Sequence, residues 1–578
     1  VFLEQLESIS FKLGNSQFDA RSLLEGALMV GLTLLLTLWL SALAEQQLMR
    51  NATGSMLSLR KIMSNVLRAA MMIVGTIVSL SIAGIDLTAL SVFGGALGVG
   101  IGIDLQKLAS NYVSGFVILA EPDGSVHGLN GSGRAPAAAT AAAYRARGLT
   151  EIPEFGPLSI TVPAAIKAWE TLLSRFGTRE LGSLFADAIR YAEDGYPVHA
   201  RVAWDWARQV EALAADEGGA RHYLVGGRSP AVGSRHRQPA LASTLRAIAS
   251  RGSRAFYEGL IAAEMAAVVQ AKGGYLAEED LAAVSADWVT PISTRYRGHD
   301  VLEIPPNGQG ITALIMLNLM RELGVDRLPP DSAERYHLEI EAGRIAYSVL
   351  HREVSDPTTM KVAVETVLAD DFTREIARQF DPARRNPAIA SPKNPSPPTV
   401  YLTIADRARR AISFINSTYD AFGSRVVTPL SGIALQNRGA CFNLIEGHPN
   451  EIGPRKRPLH TIIPAMAMKN GRAFAAFGVM GGDFQPMGHA HVFANLVDFG
   501  MDPQAAIDHP RLFWGEDAVL DAEAGISAAV VEGMVARGHQ VRGAIKPHGG
   551  GQMIVIDEEN GFLVGGSDPR KDGCALGW

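Results

Sequence analysis

The sequence predicts an α/β protein preceded by an all-α transmembrane segment. Two observations carry this reading: charge is unevenly spread, and the hydrophobic pattern changes texture once. The chain has 578 residues, 47% hydrophobic and 19% charged, with a mean hydropathy of +0.10. Only 14 of its 112 charged residues fall within residues 1–120, so the mean averages an apolar front and a more polar remainder. At about 100–200 residues per domain, the length allows several domains and a large core. The composition excludes disordered and collagen-like chains. A net charge of −6 and a pI near 6.2 lack the basic footprint of a nucleic-acid binder. Two cysteines, Cys441 and Cys574, allow one bridge at most and no disulfide framework.

Residues 26–44, 69–85 and 87–103 carry no charge, and about 17–25 such residues span a bilayer core. The alternative is a set of helices buried in a soluble core. Membrane helices are expected over about 26–44, 69–85 and 87–120. Arg50, Arg60, Lys61 and Arg68 lie between the first two stretches, which puts that loop in the cytoplasm. Everything after residue 120 is then expected on the cytoplasmic side of an inner or plasma membrane. The third stretch holds Gly94, Gly95, Gly98, Gly100 and Gly102, small residues that let helix backbones approach in lipid. With Asp104-Leu105-Gln106 and Ser114-Gly115, residues about 25–120 resemble the membrane helices of the small-conductance mechanosensitive channel family.

After Glu121 the texture is soluble α/β. Asp123-Gly124 signals a turn, and SVHGL behind it a short strand. Helical periodicity runs over 181–193 and 200–215, where Trp204 and Trp206 read as helix core. The turn PPNGQG (305–310) opens the helix ITALIMLNLMREL. Residues 389–398, IASPKNPSPP, read as an exposed linker. Directly behind it, TVYLTI from Thr399 and a second run over 411–415 read as strands. A cut before Thr399 would leave a hydroxyl and a free α-amine on one residue, and the amine can serve as base for the hydroxyl. On spacing alone, a threonine opening a strand is ordinary. His489 and His491, at i and i+2 with no acid or cysteine cluster, have poor zinc spacing. They are expected to pack near the neighbouring glycine loop. No metal and no cofactor is expected.

The motifs LNGSGRAP (129–136), PPNGQG (305–310), TVYLTIAD (399–406), SGIALQNRG (431–439), GPRKRPLHTIIPAM (453–466), GVMGGDFQPMGHAH (478–491) and GGSDPRKDG (565–573) occur in order. Through them, residues from about 121 to 578 resemble the gamma-glutamyltransferase family of N-terminal-nucleophile hydrolases. The resemblance implies a four-layer αββα sandwich, with a large-chain-like part over 121–398 and a small-chain-like catalytic part over 399–578. It implies self-cleavage between Pro398 and Thr399, with the two chains staying associated. Thr399 matches the nucleophile, Ser417 the hydroxyl that assists it, and Gly481 and Gly482 the oxyanion-hole pair. Arg134 matches the arginine for the substrate carboxylate, and His460-Thr461 the hydroxyl pair beside it. The implied substrate is a γ-glutamyl or other amide, with water or an amine as acceptor.

Three departures qualify the resemblance. Arg438 and Cys441 fall where the family holds the substrate's α-amino group, and a cation there repels an ammonium. The turn after the nucleophile strand is Arg407-Ala408-Arg409-Arg410. Channel-like sequence stands where the front strand and helix of the sandwich belong, so these are expected to be missing. The second reading is therefore a channel-like membrane protein with an inactive hydrolase passenger.

Overall fold

The structure, a computed structural model, describes residues 10–13, 16–19, 114–390, 399–515 and 517–577. The chain divides into two units, Val1–Leu105 and Gln106–Trp578. In the first, strands β1 (Ser10–Leu13) and β2 (Ser16–Asp19) form an antiparallel pair.

The second unit is built on two antiparallel sheets. The five-stranded sheet combines β3 (Ser114–Ala120), β4 (Val126–Gly131), β7 (Asp287–Val289), β10 (Val400–Ala405) and β11 (Ala411–Ser417), in the order β10-β11-β3-β4-β7. The six-stranded sheet combines β8 (Ile292–Tyr296), β9 (His299–Glu303), β12 (Ala465–Lys469), β13 (Arg472–Met480), β17 (Gly550–Asp557) and β18 (Phe562–Ser567), in the order β18-β17-β13-β12-β9-β8. Minor pairings join β5 (Tyr196–Pro197) to β6 (Arg235–His236), and β14 (Leu512–Trp514), β15 (Leu520–Ala522) and β16 (Val541–Gly543) to one another.

Side-chain alternation builds four layers. Phe116, Ile118, Tyr401 and Ile415 of one sheet meet Met466, Met468, Ala476 and Ile556 of the other. Ala465, Ala467, Ala475 and Phe477 point the opposite way, into a core shared with helices Gly310–Leu323, Ala333–Glu353 and Gln485–Val497. On the outer face of the five-stranded sheet, Val117 and Leu129 pack on Ala168 of helix Ala165–Phe176. This is the αββα sandwich.

Two expectations are corrected by β3. The membrane helix expected over 87–120 does not reach Ala120, because SGFVILA is a strand paired with β11 on one side and β4 on the other. The front strand of the sandwich is therefore present rather than missing. From Gly115 on, both faces of β3 are buried, so that stretch is apolar throughout instead of alternating. A short apolar run of that kind reads equally as helix or strand. Among the described residues, no helix is long and apolar enough to cross a membrane. Residues 26–44, 69–85 and 87–113 lie outside the described residues, as does the linker 391–398 with Pro398.

Other elements follow the sequence with local changes. The predicted helices break into Leu181–Leu184 and Ala186–Asp194, and into Ala200–Ala207 and Val210–Ala214. Trp206 is buried, but Trp204 is exposed, lying between the guanidinium groups of Arg201 and Arg208 at 5.0 and 4.8 Å. The β10–β11 hairpin closes despite its basic turn because Asp406 supplies the cap. Its carboxylate accepts the Arg410 N–H at 2.9 Å, and its own N–H donates to the Arg410 carbonyl at 3.0 Å.

Candidate active site

Thr399 immediately precedes β10, where the antiparallel register (Val400 opposite Asn416) brings it to Ser417 at the end of β11. Its Oγ1 donates to Ser417 Oγ at 3.4 Å, and both residues are buried. Ser417 Oγ also accepts the N–H of Tyr419 at 2.9 Å. The β10 strand is an edge strand, fixed from the neighbouring sheet as well. The Tyr401 hydroxyl lies 2.7 Å from Ser413 Oγ, and its ring covers Gly478, where a Cβ would come within 2.5 Å of it.

The second sheet delivers the glycine pair. Strand β13 ends at Met480, and the chain turns through Gly481 (φ 137°) and Gly482 (φ 62°) into helix Gln485–Val497. These conformations favour glycine. A Cβ at Gly481 would also sit 2.8 Å from Gly549 Cα. Gly482 opens a 3₁₀ turn, so its N–H stands at a helix start where no intrahelical acceptor exists. Gln309 fixes the turn, because its Nε2 donates to the Gly482 carbonyl at 3.0 Å and to the Thr461 carbonyl.

Thr461 links this turn to Arg438. Arg438 Nη1 donates to Thr461 Oγ1 at 2.6 Å, and its guanidinium lies 4.6 Å above the Tyr419 ring. Cys441 Sγ is 4.0 Å from Nη1, and burial pushes its thiol up, against the pull of Arg438. Arg438 is fully buried, and its Nε and Nη2 have no hydrogen-bond partner among the described residues. Asp483, next to the glycine pair, has its carboxyl pushed up to about 7 by burial, against the opposing pull of Arg438. Contacts thus run from Thr399 through Ser417, Tyr419, Arg438, Thr461 and Gln309 to Gly482.

Two candidate residues stand apart from that chain of contacts. The His460 ring turns away to pack on Phe116 of β3, centroids 4.8 Å apart, while its N–H and carbonyl bond Asn307 and Gln309. Burial holds it well below its usual pKa, so it is neutral. Arg134 is partly exposed and engaged by Asp287 (3.3 Å), Asp356 (3.8 Å) and the Arg455 carbonyl (3.1 Å). His489 and His491 are buried and paired with Glu303 at 2.7 Å and Glu339 at 2.8 Å, each a single carboxylate contact. They belong to the helix layer beside the six-stranded sheet. Among the described residues no group of three potential metal ligands gathers. Gln309, Tyr419 and Asp483 escape the sequence reading as site residues, although Gln309 and Asp483 lie inside motifs it singles out.

Residues 114–578 match the family described as Gamma-glutamyltranspeptidase. Among curated proteins, the chain is 34% identical over 460 residues to the glutathione hydrolase-like YwrD proenzyme of Bacillus subtilis, covering 78% of this chain and 86% of that one. It is 34% identical over 480 residues to the oxamate amidohydrolase proenzyme of Klebsiella pneumoniae, covering 80% and 89%. Among solved structures, the cephalosporin acylase of Bacillus halodurans superposes with a TM-score of 0.75 at 39% identity, over 81% of this chain and 87% of that one. The match starts at Ser114, the first residue of β3, so the end of the apolar front belongs to the hydrolase sheet. The channel resemblance of residues 25–120 is not supported.

Proposed function

The chain belongs to the gamma-glutamyltranspeptidase family, and we propose that it hydrolyses or transfers acyl groups from amides, with Thr399 as nucleophile. In the first step the Thr399 hydroxyl attacks the Pro398 carbonyl carbon, and the peptide C–N bond gives way to an ester. That step frees the Thr399 α-amine, and water then hydrolyses the ester to the Pro398 carboxylate and the Thr399 hydroxyl. With a reference pKa near 8, this amine takes the proton of its own hydroxyl as the oxygen attacks a substrate amide. The proton passes to the leaving amine, and water or a second amine resolves the Thr399 ester. Negative charge on the tetrahedral oxygen falls to the N–H groups of Gly481 and Gly482, a preorganised pair suited to acyl transfer. Ser417 Oγ orients the nucleophile.

The observation that carries this reading is the convergence of the two sheets. One holds Thr399 against Ser417, while the other ends in the Gly481–Gly482 turn, and Gln309, Thr461 and Arg438 join them. The test is expression followed by a denaturing gel. Wild-type protein is expected as two pieces, the smaller beginning at Thr399, and Thr399→Ala as one uncut, inactive chain. A wild type that stays as uncut as Thr399→Ala refutes the reading.

A further inference from the structure

The Gly481–Gly482 turn is backed by a buried acid–base pair. Glu303 ends β9 and is fully buried, with Oε1 2.7 Å from Nδ1 of His489, itself buried in helix Gln485–Val497. That helix follows the glycine pair after one 3₁₀ turn. On its other side, Glu303 packs on Gly310, where a Cβ would come within 2.8 Å of Oε2. Gly310 follows Gln309, whose amide holds the Gly482 carbonyl. One contact thus joins a strand of the central sheet to the helix that carries the turn, beside the helix start that fixes it.

The pair is neutral. Burial pushes the Glu303 carboxyl well above the usual carboxylate range and the His489 imidazole down to about 3. Among the described residues neither makes another ion pair, and Glu303 Oε2 and His489 Nε2 have no hydrogen-bond partner. Tyr401, facing Glu303 from the other sheet, is kept protonated by burial, and the ring 5.5 Å from His489 is Phe477. A bare carboxylate oxygen in such surroundings is costly, whereas a carboxylic acid donates its proton to Nδ1 and carries no charge.

We propose that Glu303 and His489 are positioning residues of the acyl-transfer site: the Glu303 carboxyl donates to His489 Nδ1 and so fixes the helix that carries the Gly481–Gly482 turn. This rests on the acyl-transfer reading for what the turn does, and it adds no chemical step. A glutamine N–H can make the same donation. Aspartate is one methylene short, and leucine has no donor.

The test measures kcat and KM of the cleaved wild type, Glu303→Gln, Glu303→Asp and Glu303→Leu on one amide, across about pH 5 to 9. Glu303→Gln is expected to keep most of kcat and the wild-type pH profile. Glu303→Asp and Glu303→Leu are expected to lower kcat by about 10–10²-fold with little change in KM. A loss in Glu303→Gln as large as in Glu303→Leu, or a wild-type inflection that Glu303→Gln lacks, points to a charged pair and overturns the proposal. So does a Glu303→Leu or Glu303→Asp enzyme with unchanged kcat. If Glu303→Leu does not fold, the contrast between Gln and Asp decides alone. If the wild type turns over no amide, it is the acyl-transfer reading that has failed. Infrared difference spectra of wild type against Glu303→Gln at about pH 8, where ordinary carboxyls are ionised, then decide the pair. A protonated-carboxyl stretch confined to the wild type is expected, and its absence overturns the pair.

Discussion

Gly481 sits where backbone conformation, packing and chemistry impose the same residue. Its φ of 137° strains any side chain, and a Cβ would press on Gly549 from 2.8 Å. Gly481→Ala is expected to displace the proposed oxyanion donors and lower kcat by about 10²–10³-fold, with a smaller change in KM, read by steady-state kinetics. Asp483 behaves differently. Its carboxyl titrates near 7 in the folded protein, far above an ordinary aspartate, so the folded state binds more protons than the unfolded one between about pH 4 and 7. Stability from this group is therefore lost as pH rises through that window and is level above it. The melting temperature of Asp483→Asn, relative to wild type, is expected to climb from pH 4 to 7 and then stay constant. A difference independent of pH would refute the shift. Motifs made Thr399, Ser417, Gly481, Gly482, Arg438 and Thr461 legible as positions. They could not give direction or burial, which is why the placing of Asp483 and Tyr419 beside Arg438, and the turn of the buried His460 ring onto Phe116, emerge only from the fold.

At the scale of elements, β3 decides how the N-terminal part of the sheet is understood. An uncharged glycine-rich stretch running into SGFVILA looks continuous in sequence, yet Ser114–Ala120 pairs residue for residue with β11 and β4. Hydrophobicity alone cannot separate a lipid-facing helix from a strand buried on both faces. The strand pairing fixes register, and with it the placement of Ser417 beside Thr399. Phe116 is fully buried between the sheets and touches the His460 ring. Phe116→Ala is expected to cost about 3–5 kcal/mol, measured by chemical denaturation. A change below about 1 kcal/mol would contradict the burial of β3. The β10–β11 hairpin is the opposite case. Its β-branched strand was legible from TVYLTI, whereas its turn was not, because the cap comes from Asp406 just outside the basic run.

At the scale of the molecule, each sheet mixes segments from both sides of residue 399. In one, β3 pairs with β11; in the other, β9 pairs with β12. Cleavage before Thr399 therefore cuts a connection and leaves both sheets paired. The two pieces are expected to co-elute from a size-exclusion column in native buffer and to separate only in denaturant. Separation in native buffer would contradict the interleaved topology. The motif order made the four-layer sandwich legible, because many of those motifs lie at sheet ends and turns, where backbone geometry restricts residue choice. The most direct test of the central claim is intact-mass spectrometry of the protein quenched in acid during turnover of an amide donor. A mass increase of one acyl group on the piece beginning at Thr399, mapped to that residue, is the predicted result. An adduct on Ser417 or Cys441, with Thr399 unmodified, would contradict it.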